Sequence, residues 1–302
     1  MAALDTAVVR PERGRGAIGM PFWRSRAIRR RLTLAFTYVV LVVLGIAVLM
    51  PFFWMLSSSL KSRDEIFLVP PTWIPSKILW QNYPEALNYM HFPVAFRNTV
   101  VITLFATLGS LISSSLVGYS FAKVRFRGKD LLFMLCLSTL MIPSQVTMIP
   151  RYILFKLLHW LNTFLPLTVP TYFGDGPFYI FLLRQFFMTI PNEIDDAARI
   201  DGCDILGTFY HIALPLSKPG LAAVVIFSFF WNWNNFMEPL IYLSNSSTYP
   251  LAVALRFFQL QHEIYWSWLM AASVVTMLPC ILLFFFAQKY FIQGVVVSGV
   301  KG

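Results

Sequence analysis

Apolar residues along this chain gather in long runs that polar and charged residues separate. The first long run lies between Arg31 and Lys61, with no charged residue inside it. A helix needs about 20 mostly apolar residues to cross the hydrocarbon core of a bilayer. The pattern therefore predicts an all-α polytopic membrane protein with six transmembrane helices. The predicted spans are residues 32–60, 98–122, 131–149, 162–190, 219–243 and 265–288.

The fourth and fifth runs carry polar interruptions. The tetrapeptide GDGP at 174–177 divides the fourth run and predicts a backbone break within that span. Asp175 in this break can cap a half-helix or face an aqueous path, and the cap is favoured. The fifth run carries three asparagines and one acid among aromatic residues, and polar groups in a span tend to face a cavity or a neighbouring helix. These residues are Asn232, Asn234, Asn235 and Glu238.

Small residues recur through the second run. Glycine and serine let two helix backbones approach closely, which is how many helices associate within a membrane. The second predicted span is therefore expected to pack tightly against its neighbours through a small-residue face. Its members are Gly109, Ser110, Ser113, Ser114, Ser115 and Gly118.

Composition supports a chain that is solvated by lipid. The 302 residues are 57% hydrophobic and 13% charged, whereas soluble domains are about a quarter charged. The net charge of +10 comes from basic residues placed between apolar runs, so it indicates membrane topology and no nucleic-acid partner. The three cysteines are scattered, with no CxxC pair and no Cys/His cluster. Neither a disulfide framework nor a metal site is expected.

The distribution of basic residues predicts the orientation in the membrane. Seventeen of the 24 Lys and Arg residues fall on one side of the predicted spans. Basic residues concentrate on the cytoplasmic side, so both termini are expected in the cytoplasm. The predicted divisions are residues 1–31, a basic and disordered cytoplasmic segment; 32–60, the first span, retained as an anchor; 61–93, an extracytoplasmic loop; 94–291, the core domain; and 292–302, a cytoplasmic tail.

Residues 190–221 form the one sizeable polar block in the second half of the chain. Five of the fourteen acidic residues lie here. Asn192 is expected to cap a short helix, with Asp195 three residues later. Gly202 suits a left-handed turn at the end of that helix, and a second short helix is predicted after Asp204.

The first of these helices predicts a docking face. Ile194, Ala197 and Ala198 are expected to lie on one side at helical spacing. The small alanines favour contact with another protein over the filling of a core. An amphipathic connector without a partner is the alternative.

The same block resembles the "EAA" loop of binding-protein-dependent ABC importer permeases. The motif stands here as Asp196-Ala197-Ala198, three residues, Gly202, then Ile212-Ala213-Leu214-Pro215, with Asp in place of the family's Glu. The run AARIDG…LPLSKPGL is most similar to the second permease subunit of maltose transporters, and the resemblance extends from about Phe92 to Gly302.

This resemblance implies an ABC importer permease fold and a role for the polar block. Residues 191–218, called the coupling loop below, would insert into a cleft of an ATPase subunit, with Ala197 and Ala198 at the contact and Gly202 setting the turn. The implied coupling residues are Asp196, Ala197, Ala198, Asp201, Gly202, Leu214 and Pro215.

The implied function is uptake of a sugar or oligosaccharide at a bacterial inner membrane. The implied partners are a second homologous permease, two copies of an ABC ATPase, an extracytoplasmic solute-binding protein and the lipid bilayer. The chain carries no GxxxxGK[ST] motif, so no enzymatic activity and no cofactor are expected in it, and ATP and Mg²⁺ would bind to the partner ATPase.

The polar residues of the fifth span have two interpretations. These residues (Asn232, Asn234, Asn235 and Glu238) can line a sugar path, together with Asp175, or form hydrogen bonds to the second permease.

The main alternative function of the chain is that of a membrane enzyme or a secondary carrier. An enzyme would need a clustered catalytic constellation, and a carrier would need internal repeats or buried charge relays.

Overall fold

The computed structural model describes residues 26–174, 176–259 and 265–299, and helices are the regular secondary structure of these residues. The predicted all-α class is confirmed. The basic segment up to residue 25, Asp175 and the last three residues of the predicted tail lie outside the described residues.

The chain divides into two units between Trp54 and Met55. The described part of the first unit is one helix, α1 (Arg26–Ser59), which continues across the boundary. Its apolar side chains are exposed: Phe36 is 70% exposed and Val48 is 76% exposed. Such a surface suits contact with lipid chains.

The second unit contains the helices that build the core. They are α2 (Arg63–Ile66), α3 (Asn82–Tyr89), α4 (Phe92–Lys123), α5 (Lys129–Ser138), α6 (Ser144–Leu157), α7 (Leu165–Thr168), α8 (Pro177–Met188), α9 (Asn192–Ile200), α10 (Ile205–Thr208), α11 (Leu214–Leu216), α12 (Lys218–Trp233), α13 (Met237–Tyr242), α14 (Leu251–Ala254) and α15 (Trp266–Gly299). Turns of 3₁₀-helix cover Thr139–Met141, Val169–Phe173, Ser246–Thr248 and Leu255–Gln259, and a π-helical turn covers Phe209–Ala213.

Three described helices are long and apolar enough to cross a membrane, and the number rises to five if each of two bent helix pairs counts as one span. Within the described residues, the predicted number of six is therefore not confirmed exactly. The shortfall is at the fourth span, where α8 has 12 residues and a length of about 18 Å. The three long helices are α1, α4 and α15, and their candidate spans are Arg29–Ser59, Phe92–Lys123 and Trp266–Gln288.

The third predicted span is bent rather than straight. Its two helical parts, ending at Met141 and beginning at Ser144, meet at an angle of 99°. Pro143 causes the bend, because a proline forces the preceding residue out of the helical region. Ile142 is accordingly extended, with φ −82° and ψ 115°. The apolar run 131–149 thus contains parts of two helices, which are separated by a sharp bend at Pro143.

The fourth span is interrupted at the predicted place. The 3₁₀ turn ends at Phe173, the next residue, Gly174, has a positive φ of 84°, and α8 begins at Pro177. Glycine adopts this left-handed conformation without steric cost. The sequence GDGP therefore separates two helical pieces within one apolar run.

Helix α4 is the centre of the second unit and packs against α8, α12 and α14. All six predicted small residues of this helix are buried, which confirms the close-packing face. At Gly118 an added Cβ would lie 3.1 Å from the backbone O of Ile180 and 3.2 Å from the backbone N of Arg184. The α4 and α8 backbones therefore approach so closely that a Cβ at this position would force the α8 backbone to shift by a few tenths of an ångström.

We expect Gly118→Val to separate α4 from α8 and to lower the stability of the purified protein. Overpacking of this kind costs about 1–3 kcal/mol. Gly45→Val is the matched control, since no atom lies within 4 Å of the position of its Cβ. Thermal unfolding in detergent measures the difference, and equal midpoints for both variants would contradict the packing.

Candidate functional site

The coupling loop begins with α9, directly after Pro191. Pro191 occupies the position before the first helical residue, and no side chain caps this helix end. The predicted cap by Asn192 is therefore wrong. Asn192 is the first helical residue, and its Oδ1 accepts a hydrogen bond at 3.2 Å from Nζ of Lys123, which draws the amide away from the helix end.

A buried ion pair joins α9 to the end of α4. Nζ of Lys123 lies 2.8 Å from Oδ2 of Asp195, and the two side chains are 6% and 12% exposed. The same ammonium donates to the backbone O of Ile190 at 2.5 Å. A pair excluded from water is only weakly screened by salt. Sequence reasoning assigned Asp195 to the first turn of α9 but missed its partner, because no local spacing relates the two residues.

The docking face predicted for α9 is divided by the structure. Ala198 is 4% exposed and packs within this chain, whereas Ile194 and Ala197 are exposed. Neighbouring helical residues point about 100° apart, so the prediction that both alanines share one exposed face is wrong. Asp196 is on the exposed side, and one of its oxygens lies 3.9 Å from a guanidinium nitrogen of Arg199.

Gly202 ends α9 in the way the sequence predicts. Its φ is +87°, and no atom lies within 4 Å of the position of a Cβ. The turn is closed by hydrogen bonds from the backbone N of Gly202 to the O of Arg199, at 3.1 Å, and from the N of Cys203 to the O of Ala198, at 2.9 Å. Glycine is needed here for its backbone conformation and not for space. Asp201, next to it, is exposed.

The second half of the loop is anchored in the apolar core. The short helix predicted after Asp204 is α10, and Asp204 caps it, because its Oδ1 accepts a hydrogen bond from the backbone N of Gly207 at 2.6 Å. Phe209 follows and is 2% exposed. Its ring centroid lies 5.1 Å from that of Tyr119 in α4 and 6.3 Å from that of Phe187 in α8. The loop is therefore attached to two core helices by one aromatic side chain.

The π-helical turn before α11 accompanies the Leu-Pro pair of the motif. Pro215 has no N–H for the carbonyl of His211, so a regular helix loses one bond at this point and the backbone widens. Leu214 is half-buried and packs on the core cluster around Phe209, whereas Pro215 is exposed. The two predicted residues therefore face opposite environments.

The outer surface of the coupling loop is unusually apolar for a polar segment. Large apolar side chains stand exposed between its charged residues, and Ile200 is 87% exposed. Several large apolar side chains exposed within one short segment are typical of a surface that a partner protein covers. The other members are Ile205, at 51%, Leu206, at 57%, Tyr210, at 59%, and Leu216, at 55%.

The polar residues of the fifth span separate into two groups. Asn232 and Asn234 are engaged within their own helix, since their Nδ2 atoms donate to the backbone O of Ser228, at 2.7 Å, and of Phe230, at 2.9 Å. Asn235 and Glu238 meet beyond the end of α12, where Nδ2 of Asn235 lies 2.7 Å from Oε2 of Glu238.

Arg151 of α6, which is not among the predicted site residues, completes this second group. Its NH1 lies 3.2 Å from Oε1 of Glu238, and its guanidinium also lies 5.9 Å from the ring of Phe155. The signal that could have found the pair is charge, because a lone acid within a span requires a partner. The structure thus places Asn235, Glu238 and Arg151 together, with Asn232 and Asn234 apart from them.

Comparison with protein families decides the class of the chain. Residues 114–297 match the model described as "Binding-protein-dependent transport system inner membrane component". The chain belongs to this family. Membership confirms the resemblance seen in the coupling loop and makes the chain a multi-pass inner-membrane permease.

Individual relatives agree with the family. The chain is 35% identical to the arabinooligosaccharides transport system permease protein AraQ of Bacillus subtilis, over 86% of this chain and 93% of that one. It is 32% identical to the sn-glycerol-3-phosphate transport system permease protein UgpE of Pectobacterium atrosepticum, over 87% and 96%. A chain from the crystal structure of a bacterial ABC transporter that imports the acidic polysaccharide alginate superposes with a TM-score of 0.77, at 25% identity, over 90% of this chain and 100% of that one. The predicted ABC importer permease fold is confirmed.

Two neighbouring aromatic residues separate the anchoring of the loop from its outer surface. We expect Phe209→Ala to destabilise the permease by about 3–5 kcal/mol, because it empties a core position. Tyr210→Ala, which removes an exposed ring, is expected to change stability by less than about 0.5 kcal/mol. Thermal unfolding of the purified protein measures both, and equal losses would contradict the assignment of Phe209 as the anchor.

Proposed function

We propose that this chain forms one half of the translocation pathway of an ATP-driven importer for an oligosaccharide. It would pair with a second homologous permease, bind two copies of an ATPase and receive its solute from an extracytoplasmic binding protein. The observation that carries the proposal is the coupling loop: a polar segment that exposes large apolar side chains while Phe209 and Asp195 fasten it to the core.

The same loop indicates how the ATPase and this chain would divide their roles. The ATPase would bind ATP and Mg²⁺ and hydrolyse the nucleotide, whereas this chain would supply the surface that moves with it. Asp196, Ala197, Asp201, Gly202 and Pro215 are exposed and are proposed to lie at or near the ATPase contact. Ala198 and Leu214 would support that surface from within.

The distribution of charge supports an orientation with both termini in the cytoplasm. In that orientation the coupling loop and the link between α4 and α5 face the cytoplasm, where the ATPase is found. Arg151, Glu238 and Asn235 then lie toward the opposite side. This group, with Asn232, Asn234 and Asp175 as further proposed members, would border the path of the sugar.

The relatives support an oligosaccharide as the solute, because AraQ is named for arabinooligosaccharides and the superposed structure is of an alginate importer. The test is reconstitution of the permease with its partner subunits and binding protein in liposomes that contain ATP. Uptake of labelled arabinotriose, maltotriose, an alginate trisaccharide and sn-glycerol 3-phosphate is then measured. We expect ATP-dependent accumulation of one of the oligosaccharides, and uptake of glycerol 3-phosphate alone or of none would contradict the proposal.

Gly202 provides a test of the coupling loop. We expect Gly202→Val to strain the turn by about 1–2 kcal/mol and to reduce both ATPase co-purification and uptake. Gly202→Asn is expected to lose less, because asparagine tolerates the left-handed conformation better than valine. If the valine variant still co-purifies with the ATPase and takes up the solute as the wild type does, residues 191–218 are not the coupling loop.

A further inference from the structure

Helix α9, the first helix of the coupling loop, has few points of attachment to the rest of the protein. Of its nine residues, Asp195 and Ala198 are the buried ones. Ala198 contributes a single methyl group. The polar side chains that attach this helix to α4 are the buried carboxylate of Asp195 and the exposed amide of Asn192.

Lys123 supplies the other side of that attachment. Its Nζ contacts one oxygen just before the coupling loop, the backbone O of Ile190, and two oxygens within the loop, Oδ1 of Asn192 and Oδ2 of Asp195. The ammonium has three donor hydrogens, so these three acceptors match its full hydrogen-bonding capacity. The other oxygen of Asp195, Oδ1, is buried with no hydrogen-bond partner. Lys123 is thus the partner that holds this carboxylate.

Both halves of the coupling loop meet the same end of α4. Tyr119 and Lys123 are one helical turn apart and lie on one face. The ring of Tyr119 packs against Phe209 in the second half of the loop, and Lys123 forms an ion pair with Asp195 in the first half. A cavity of about 190 Å³ lies between these contacts and is bordered by Arg125 and Arg199 as well. Helix α4 in turn packs against α8 and α12.

We propose that Lys123 is the positioning residue that makes α9 and α4 move as one body. A displacement of the coupling loop by the ATPase is then passed to α4, and through its packing to the other core helices. Without the pair, α9 can shift on the ATPase while α4 stays in place. This inference rests on the proposed function, because it concerns how the ATPase contact reaches the translocation path.

The decisive variant replaces both charges by apolar side chains of similar size, Lys123→Met with Asp195→Leu. Removing one charge leaves the other buried and unpaired, whereas removing both is often neutral for stability. The single variant Lys123→Met is therefore expected to lower the thermal midpoint, and the double variant is expected to recover it. Arg127→Met is the matched control, since Arg127 is an exposed basic residue of the same α4–α5 link.

The functional measurement uses the complete reconstituted complex and whichever of the four labelled solutes the wild type accumulates. We expect the double variant to co-purify with the ATPase and to hydrolyse ATP within about twofold of the wild type, while solute moved per ATP falls at least tenfold. The control should match the wild type in all three. Wild-type transport per ATP by the stable double variant would reduce the pair to a structural role and overturn the proposal.

A second measurement requires no transported solute. Spin labels are placed at Arg127→Cys and Glu193→Cys, two exposed positions on either side of the pair, in a background with Cys136, Cys203 and Cys280 replaced by Ser. In the otherwise unaltered complex we expect one narrow distance distribution, equal in the nucleotide-free and vanadate-trapped states. In the double variant it should broaden and shift between the states. An identical, unshifted distribution in the double variant would contradict the proposal, whereas failure of uptake by the wild type would count against the proposed function alone.

Discussion

The ion pair between Lys123 and Asp195 joins a polar, water-facing loop to the central helix of an apolar bundle. Burial of two charges is costly, and loss of one partner from such a pair typically costs about 3–5 kcal/mol. Apolar residues would hold the loop at lower cost, but they do not fix direction as three hydrogen bonds to one ammonium do. The pair therefore determines where α9 lies, and Phe209 against Tyr119 determines where the second half of the loop lies.

Helix α4, to which the coupling loop is attached, is held in place by close packing against other helices of the second unit. Its glycines and serines bring α8 so close that a Cβ at Gly118 would force the α8 backbone to shift. Within a membrane the hydrophobic effect does not drive helices together, so close packing of this kind is what holds them. The polar group of Arg151, Glu238 and Asn235 joins α6 to α13 in the same unit. The second unit is thus a packed helix bundle to which the buried ion pair attaches the first half of the coupling loop.

Local pattern was sufficient for much of this structure and insufficient for its key contacts. The apolar runs predicted the long helices, the small-residue stripe predicted the face of α4, and Gly202 and Asp204 predicted the two turns of the coupling loop. Hydropathy could not foresee the corner at Pro143, since a bent helix and a straight one have the same composition. The partners of Asp195 and Glu238 lie far away in sequence, and only the packing of distant helices brings Lys123 and Arg151 to them. The separation of Ala197 from Ala198 likewise depends on which side of α9 the bundle covers.

If the ATPase binds the coupling loop, this permease is one part of a larger assembly. Native mass spectrometry of the complex, purified from its membrane through a tag on this chain, reveals its subunit composition. We expect one copy of this chain, one copy of a second permease and two copies of an ATPase, with the ATPase lost when Ile200 and Leu206 are both replaced by Asp. A purified chain that occurs alone or only with copies of itself, with no ATPase at any stage of gentle extraction, would contradict it.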